Sequence, residues 1–159
     1  MKRVNGWRPP RWFRVWMICA TRGGDGWLWY SMGLVLLLFG GPQGRHAVIA
    51  AAAAAATGAG LFLMLKHRFR RRRPTVFESH CWADLLPPDQ FSFPSGHTIT
   101  AFSVAVTLSL FYPQWTAGVL FCAVSIAVSR VMLGLHFLSD VVAGGVIGAL
   151  LGYAAYGIG

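Results

Sequence analysis

Apolar segments long enough to cross a lipid bilayer constrain this chain more than any other feature. They lie at about 27–41, 46–65, 98–112, 115–135 and 138–158. The hydrocarbon core takes about 20 helical residues, and a helix satisfies its own backbone hydrogen bonds there. The first and third segments are short, so they must sit deep or thin the bilayer. The pattern predicts an all-α integral membrane protein, a bundle of about five transmembrane helices.

The N-terminal segment mixes basic and aromatic side chains ahead of these spans. Between Trp7 and Thr21 it carries Arg8, Arg11, Arg14, Trp12, Phe13 and Trp16. This mixture is typical of a helix lying in the headgroup layer. A secretory signal is the alternative, but the arginines interrupt the apolar residues and no clear cleavage site follows. We therefore predict an N-terminal interfacial amphipathic helix within residues 1–22.

Composition and charge limit the partners of the chain. It is 55% hydrophobic, with a formal net charge of +9 and a mean hydropathy of +0.53. A chain that mostly faces lipid leaves little surface for a duplex, so anionic membrane lipid or a phosphorylated substrate fits the charge better than nucleic acid. The three cysteines have no metal-like spacing and predict buried thiols without a disulfide framework. We treat residues 1–159 as a single membrane domain.

The loops divide the polar residues unequally between the two faces of the bundle. One face receives only the short links at 41–45 and 112–114. The other receives the N-terminal helix, an active-site loop at 66–97 and the turn near Gly134. The small residues Ala50 to Ala56, and Gly144, Gly148 and Gly152 on the last helix, indicate close helix packing. A homodimer interface through the last helix is the alternative for those glycines.

The first polar motif is KHRFRRRRP, from Lys66 to Pro74. A positively charged flank that orients the protein in the membrane explains it without any chemistry. As an anion site, Arg73 offers phosphate a planar fork and Lys66 a mobile point charge. Pro74 is expected to end the preceding helix and so to fix the direction of Arg73.

The second motif is PSGH, from Pro94 to His97. Ser95 is a good N-cap residue, and the amides that follow it are unpaired donors that a phosphate oxygen can take. Gly96 lets an anion approach the backbone closely. A capped helix with a surface histidine is the structural alternative.

The third motif is SRVMLGLHFLSD, from Ser129 to Asp140. Ionisable groups this close to apolar spans are costly unless they pair or act. At about 100° per residue, one helix cannot bring Arg130 onto the face of His136, so the chain should break near Gly134. Asp140 could then accept a hydrogen bond from one ring nitrogen of His136 and leave the other as a nucleophile. A structural His–Asp pair is the alternative.

Taken together, the motifs resemble the signature of the type 2 phosphatidic acid phosphatase family. The matching patterns are K-x6-RP at 66–74, PSGH at 94–97 and SR-x5-H-x3-D at 129–140. The resemblance covers roughly residues 22–158, and no motif position departs from the pattern. Vanadium-dependent haloperoxidases share the anion site with this family, but they are soluble.

The resemblance implies a role for each matching residue. His136 would attack phosphorus and become a phosphohistidine, and Asp140 would orient it. His97 would protonate the leaving oxygen and then activate the hydrolytic water. The phosphate-binding residues would be Lys66, Arg73, Ser95, Gly96 and Arg130. They would bind the non-bridging oxygens of the phosphate.

Acidic residues are too few for a two-metal phosphatase. They are Asp25, Glu78, Asp84, Asp89 and Asp140. Two-metal sites need a cluster of carboxylates or histidines. We therefore predict a metal-independent reaction with no cofactor. The sequence has no G-x-x-x-x-G-K-[ST] loop, so it does not suggest nucleotide hydrolysis.

The expected substrate is an amphipathic lipid phosphate in a bacterial inner (cell) membrane, where the protein is multi-pass. Undecaprenyl diphosphate is the first choice by analogy; phosphatidylglycerophosphate, phosphatidic acid and a lipid A phosphate are the alternatives. A lipid-to-lipid phosphotransferase, or a non-catalytic scaffold, could share the architecture. The basic residues favour a cytoplasmic site by the positive-inside rule, whereas family members acting on undecaprenyl diphosphate work on the outer face.

Overall fold

The described part of the chain is almost entirely helical. The computed structural model describes residues 10–73 and 91–157. Its elements are α1 (Arg11–Arg22), a π-helical turn (Gly23–Trp27), α2 (Leu28–Phe39), α3 (Gly41–Phe69), α4 (Gly96–Phe111), a 3₁₀ turn (Pro113–Trp115), α5 (Thr116–Met132) and α6 (Leu138–Tyr156). One antiparallel bridge joins Arg72 to Phe91. The predicted all-α bundle is confirmed.

The five predicted spans correspond to α2 through α6. Within the described residues, three helical stretches are long and apolar enough to cross a membrane: Gly41–Phe69, Pro113–Met132 and Leu138–Tyr156. The helix α4 is apolar but has 16 residues, and α2 has 12. These two are the short first and third segments of the sequence.

The helix α3 ends earlier than the sequence predicts. It stops at Phe69, and Arg70 adopts a left-handed conformation with φ 45°. The Arg70 amide donates to the Lys66 carbonyl at 3.1 Å, which satisfies one of the carbonyls at the helix end. The prediction that Pro74 ends this helix is therefore wrong, because the chain has already turned; Pro74 itself lies outside the described residues.

Small residues bring α4 close to its neighbours α3, α5 and α6. A Cβ atom added at Gly144 of α6 would lie 2.8 Å from the carbonyl oxygen of Ser95. Ala50, Ala51 and Ala54 are buried on α3. The predicted packing role of both small-residue stretches is confirmed. Because the glycine face of α6 is occupied inside the monomer, the structure does not support a homodimer through it.

Large apolar side chains are exposed around the bundle, as expected where lipid replaces water. They include Leu34, Leu38, Phe39, Ile49, Phe121, Val142, Val146 and Leu150. The prediction of buried thiols is wrong for Cys19, which is exposed, and Cys122 is only partly buried. Cys19 lies away from the buried face of α1, which carries Met17 and Thr21; Cys81 lies outside the described residues.

Candidate active site

A cavity of about 390 Å³ opens where the ends of several helices meet. Six of the eight predicted site residues line it: Lys66, Arg73, Gly96, His97, Arg130 and His136. Residues of the π-helical turn and of α2, α3 and α4 complete the wall, including Asp25 and Tyr30. Ser95 and Asp140 are fully buried and are not part of this wall. The structure thus brings together three motifs that are far apart in sequence.

The turn between α5 and α6 places Arg130 beside His136. The helix α5 ends at Met132, and Gly134 has φ 70°, a conformation that glycine adopts without strain. The amides of Leu135 and His136 both donate to the Arg130 carbonyl, at 3.0 and 3.1 Å. The predicted break near Gly134 is therefore confirmed.

The ring of His136 is buried, and each of its nitrogens has a partner. Nδ1 lies 2.7 Å from the carbonyl oxygen of Ser92. A carbonyl oxygen only accepts, so Nδ1 carries the proton and the lone pair is on Nε2. Nε2 lies 3.2 Å from Nη1 of Arg73, which can donate to it. Burial first, and then the charges of Arg130 and Arg73, lower the pKa of His136 well below its ordinary value, which favours the neutral ring.

Asp140 does not make the hydrogen bond that the sequence suggested. Its Oδ2 atom is 3.9 Å from Nδ1 of His136, too far for a hydrogen bond, and instead accepts from the Phe137 amide at 2.9 Å. Its Oδ1 atom pairs with Nη1 of Arg71 at 2.8 Å. The expectation fails because the carboxylate turns back to cap the first turn of α6, and the Ser92 carbonyl takes its place at the ring.

The side chains predicted to bind phosphate contact the surrounding backbone, one hydroxyl and one aromatic ring. The Arg73 guanidinium is buried and donates to the Leu135 carbonyl at 2.8 Å. Arg130 donates from Nη1 to the hydroxyl of Thr21 on α1 at 2.6 Å. The Lys66 ammonium lies 4.9 Å from the centre of the Phe62 ring. Two guanidinium groups therefore reach the cavity in orientations set by hydrogen bonds.

Ser95 and Gly96 form the start of α4 as predicted, but Ser95 contributes in a different way. Its hydroxyl accepts from Thr98 at 2.9 Å and makes no capping bond. Its amide donates to the Asp140 carbonyl at 3.1 Å, which ties α4 to α6. Gly96 and His97 remain at a helix N-terminus, where backbone donors have no partner within the helix.

His97 has an acidic partner that the sequence analysis did not assign to the site. Its Nε2 atom lies 2.7 Å from Oδ1 of Asp25 in the π-helical turn. Asp25 comes from the sequence GGDG, in which Gly26 has φ 120°. A lone carboxylate flanked by glycines near a membrane span was the signal that could have identified it.

An apolar groove adjoins the site. This second cavity, of about 400 Å³, lies between α2, α3 and α4 and includes Trp29, Leu37, Ala52 and Val104 in its wall. Gly26, Tyr30 and Thr100 line both cavities. A ligand with a phosphate in the first cavity can therefore extend an apolar chain into the second.

The donor set of the cavity is basic. Across residues 10–73 and 91–157, no three His, Cys, Asp or Glu side chains form a group able to hold a metal ion. Among these residues, the charged side chains that line the cavity are instead three cations, Lys66, Arg73 and Arg130, and the single carboxylate of Asp25, together with two imidazoles. Such a set matches a phosphate anion.

Known proteins are similar to this chain in sequence. A family model described as PAP2 superfamily matches residues 45–159. The chain is 31% identical over 147 residues to the lipid A 1-phosphatase of Rhizobium johnstonii, covering 80% of this chain and 59% of that protein. It is 29% identical over 139 residues to the undecaprenyl-diphosphatase of Sulfolobus acidocaldarius, covering 86% and 66%. The chain spans only 59% and 37% of the lipid A 1-phosphatases from Rhizobium johnstonii and Rhizobium etli.

Two solved structures are similar over nearly the whole chain. The transmembrane phosphatidylglycerolphosphate phosphatase of Bacillus subtilis superimposes with a TM-score of 0.74 and 26% identity, covering 99% of this chain and 81% of that one. LpxE of Aquifex aeolicus gives a TM-score of 0.79 and 28% identity, covering 97% and 90%. The likeness therefore includes α1 and α2, which precede the residues matched by the family model.

Proposed function

Because this chain belongs to the PAP2 superfamily, we propose that it is a membrane-embedded lipid phosphatase that works without a metal ion through a phosphohistidine. The observation that carries the proposal is the arrangement at His136. His136 lines a cavity whose other walls present Lys66, Arg73 and Arg130, and its unprotonated Nε2 atom lies 3.2 Å from Nη1 of Arg73. A nucleophile beside fixed cations suits attack on a phosphate group.

The reaction has two steps. His136 Nε2 attacks phosphorus, the bond to the leaving oxygen breaks, and His97 gives that oxygen a proton. The Ser92 carbonyl stabilises the cationic phosphohistidine through the Nδ1 proton. Water then attacks phosphorus while His97 takes its proton, and the electron pair of the nitrogen–phosphorus bond returns to His136. The cations bind the non-bridging oxygens throughout.

The apolar groove supports a lipid as the substrate. It adjoins the anion cavity and shares Tyr30 and Thr100 with it, so one hydrocarbon chain can follow directly from a bound phosphate. Three relatives are named for a lipid A phosphate, undecaprenyl diphosphate and a phosphatidylglycerol phosphate. We place undecaprenyl diphosphate first, because a prenyl lipid brings one chain to this groove.

The decisive experiment measures inorganic phosphate released from a panel of lipid phosphates in detergent with EDTA. The panel holds undecaprenyl diphosphate, phosphatidylglycerophosphate, phosphatidic acid and lipid A. We expect release without added metal, and His136→Ala should lower it by about 10³-fold or more. The matched control is His67→Ala, since His67 is exposed and does not line the cavity.

Two outcomes would count against the proposal. Loss of turnover in EDTA that a divalent ion restores would exclude the metal-independent route. No release from any lipid, by protein that elutes as a folded species, would instead favour a phosphotransferase, in which a second lipid and not water takes the phosphate. Adding a labelled lipid acceptor would test that reading directly.

We place the protein in the bacterial inner membrane, with residues 1–159 as one domain. Five spans put the C-terminus on the face opposite the active site. A single cysteine added there, with Cys19, Cys81 and Cys122 replaced, reports its side by labelling of intact cells. Labelling from outside means a cytoplasmic site and favours a phosphoglycerolipid; protection means an outer site and favours undecaprenyl diphosphate.

A further inference from the structure

The contact between His97 and Asp25 links two segments that are 72 residues apart. The His97 side chain is 28% exposed and the Asp25 side chain 50%. Nothing else among the described residues is hydrogen-bonded to the His97 ring. Asp25 is therefore the group that can set which ring nitrogen carries a proton and how the ring is turned.

Glycines allow this close approach. A Cβ atom added at Gly24 would lie 2.8 Å from Cγ2 of Ile126 and 3.3 Å from Cδ2 of His97. Gly26 has φ 120°, a conformation that side chains rarely adopt. The π-helical turn is thus pressed against α4 and α5, and Asp25 lies between these two glycines at the edge of the cavity.

The positive charges of the cavity explain why a carboxylate beside His97 is needed. A general acid must hold a proton when the substrate binds, but the cations that bind phosphate also disfavour a protonated imidazole beside them. Asp140 is buried outside the cavity wall and is paired with Arg71. Among the described residues that line the cavity, Asp25 is the one carboxylate that can offset them.

We propose that Asp25 is a positioning residue for His97, accepting the hydrogen bond from Nε2–H and leaving Nδ1 to exchange a proton with the substrate. The inference rests on the proposed function, because it assigns a role within the same reaction. In the first step the Nδ1 proton passes to the leaving oxygen as the oxygen–phosphorus bond breaks. In the second step Nδ1 takes a proton from the attacking water, while Nε2–H stays on Asp25 in both steps.

The first test is a double-mutant cycle on whichever lipid in the panel the wild type hydrolyses fastest. Asp25→Asn keeps the size of the side chain and, since Asp25 is half-exposed, should leave folding intact. We expect kcat to fall about 10²-fold in Asp25→Asn, and Asp25→Asn should add little to the loss already caused by His97→Gln. A merely structural ion pair predicts losses that multiply, or no loss in kcat at all.

The second test varies the leaving group. A purely structural defect would slow the reactions of both leaving groups equally. Formation of the phosphoenzyme is followed by rapid quench with p-nitrophenyl phosphate and with n-octyl phosphate. Nitrophenolate departs without a proton, so Asp25→Asn should slow that first step less than about threefold, but slow the octyl reaction about 10²-fold. Equal slowing of both would overturn the inference.

The two proposals fail in different ways. If the wild type releases no phosphate from any lipid or from these probes, the proposed function fails and the inference with it. If the wild type is active and Asp25→Asn matches it in kcat, only the role of Asp25 is refuted. His67→Gln, a change of an exposed histidine outside the cavity, controls for His97→Gln.

Discussion

The Nδ1 atom of His136 lies 2.7 Å from the carbonyl oxygen of Ser92. The orientation of this ring therefore depends on a backbone segment that precedes α4, and not on a side chain of α6. That segment is held in turn by the Ser92 amide, which donates to the Arg71 carbonyl at 2.7 Å. The backbone pairing of residues 71–72 with residues 91–92 therefore fixes the orientation of His136, the proposed nucleophile.

His136 should remain neutral to lower pH than an exposed histidine. Burial and the charges of Arg130 and Arg73 lower its pKa, so its NMR titration in micelles should have a midpoint below the ordinary histidine value of about 6.5. The ¹⁵N shifts should report a proton on Nδ1. Assignment uses the loss of the signal in His136→Gln. A midpoint at the ordinary histidine value would contradict the burial of the ring, and a proton on Nε2 would contradict the described contact with Ser92.

The same depressed pKa has a consequence for stability. Below the pKa of an unfolded histidine, the unfolded chain takes up a proton at residue 136 that the folded chain does not. The free energy of unfolding should therefore fall as pH drops from the unfolded pKa towards the folded one. The His136→Gln protein should lack this part of the slope in chemical unfolding at a series of pH values.

Arg71 should stabilise the fold through the buried carboxylate of Asp140. Replacing Arg71 by Gln leaves that carboxylate without its cation, which costs about 1–3 kcal/mol. Arg71→Gln and Asp140→Asn should be non-additive in a double-mutant cycle of unfolding in mixed micelles. Arg68→Gln, a change of an exposed arginine of α3, is the control. Additive effects would mean that the 2.8 Å contact carries no coupling.

The sequence predicted the helices and six of the residues that line the cavity, because both leave local signals. Apolar runs set the spans, and Gly134 between Arg130 and His136 indicated a break that the structure contains. Polar residues next to spans are costly, so Lys66, Arg73 and His97 were identifiable as candidates. Their meeting in one cavity follows from the alternation of spans, which returns each motif to the same face.

Contacts made by the backbone or by distant segments left no such signal. A carbonyl oxygen is present at every residue, so nothing in the sequence marked Ser92 as the partner of His136. The spacing of His136 and Asp140 suited a direct bond, but Asp140 also suited the cap of α6, and that role prevailed. Asp25 contacts His97 across 72 residues, a separation that periodicity cannot address.

Thr21 should support phosphate binding through Arg130. Its hydroxyl accepts from Arg130 Nη1 at 2.6 Å, and Val has the same shape without the acceptor. Loss of one such bond costs about 1 kcal/mol, so Thr21→Val should lower kcat/KM about fivefold while the protein stays folded. Thr57→Val, at an exposed position of α3, should change nothing. An unchanged kcat/KM in Thr21→Val would show that α1 does not position Arg130.

The glycines of α6 should be intolerant of even one methyl group. A Cβ atom at Gly148 would lie 2.9 Å from Cβ of Phe102 and even closer to the Ile99 carbonyl oxygen. Because backbone cannot yield as a side chain does, Gly148→Ala should destabilise the fold by about 1–3 kcal/mol. Gly60→Ala is the matched control, since a Cβ there meets nothing within 4 Å, and it should be neutral or stabilising by up to about 1 kcal/mol.

The shift of α6 against α4 would also separate His136 from His97, so activity should fall with stability in the Gly148 variant alone. A Gly148→Ala protein as stable and active as the wild type, but altered in oligomeric state by light scattering, would instead assign this glycine face to a dimer.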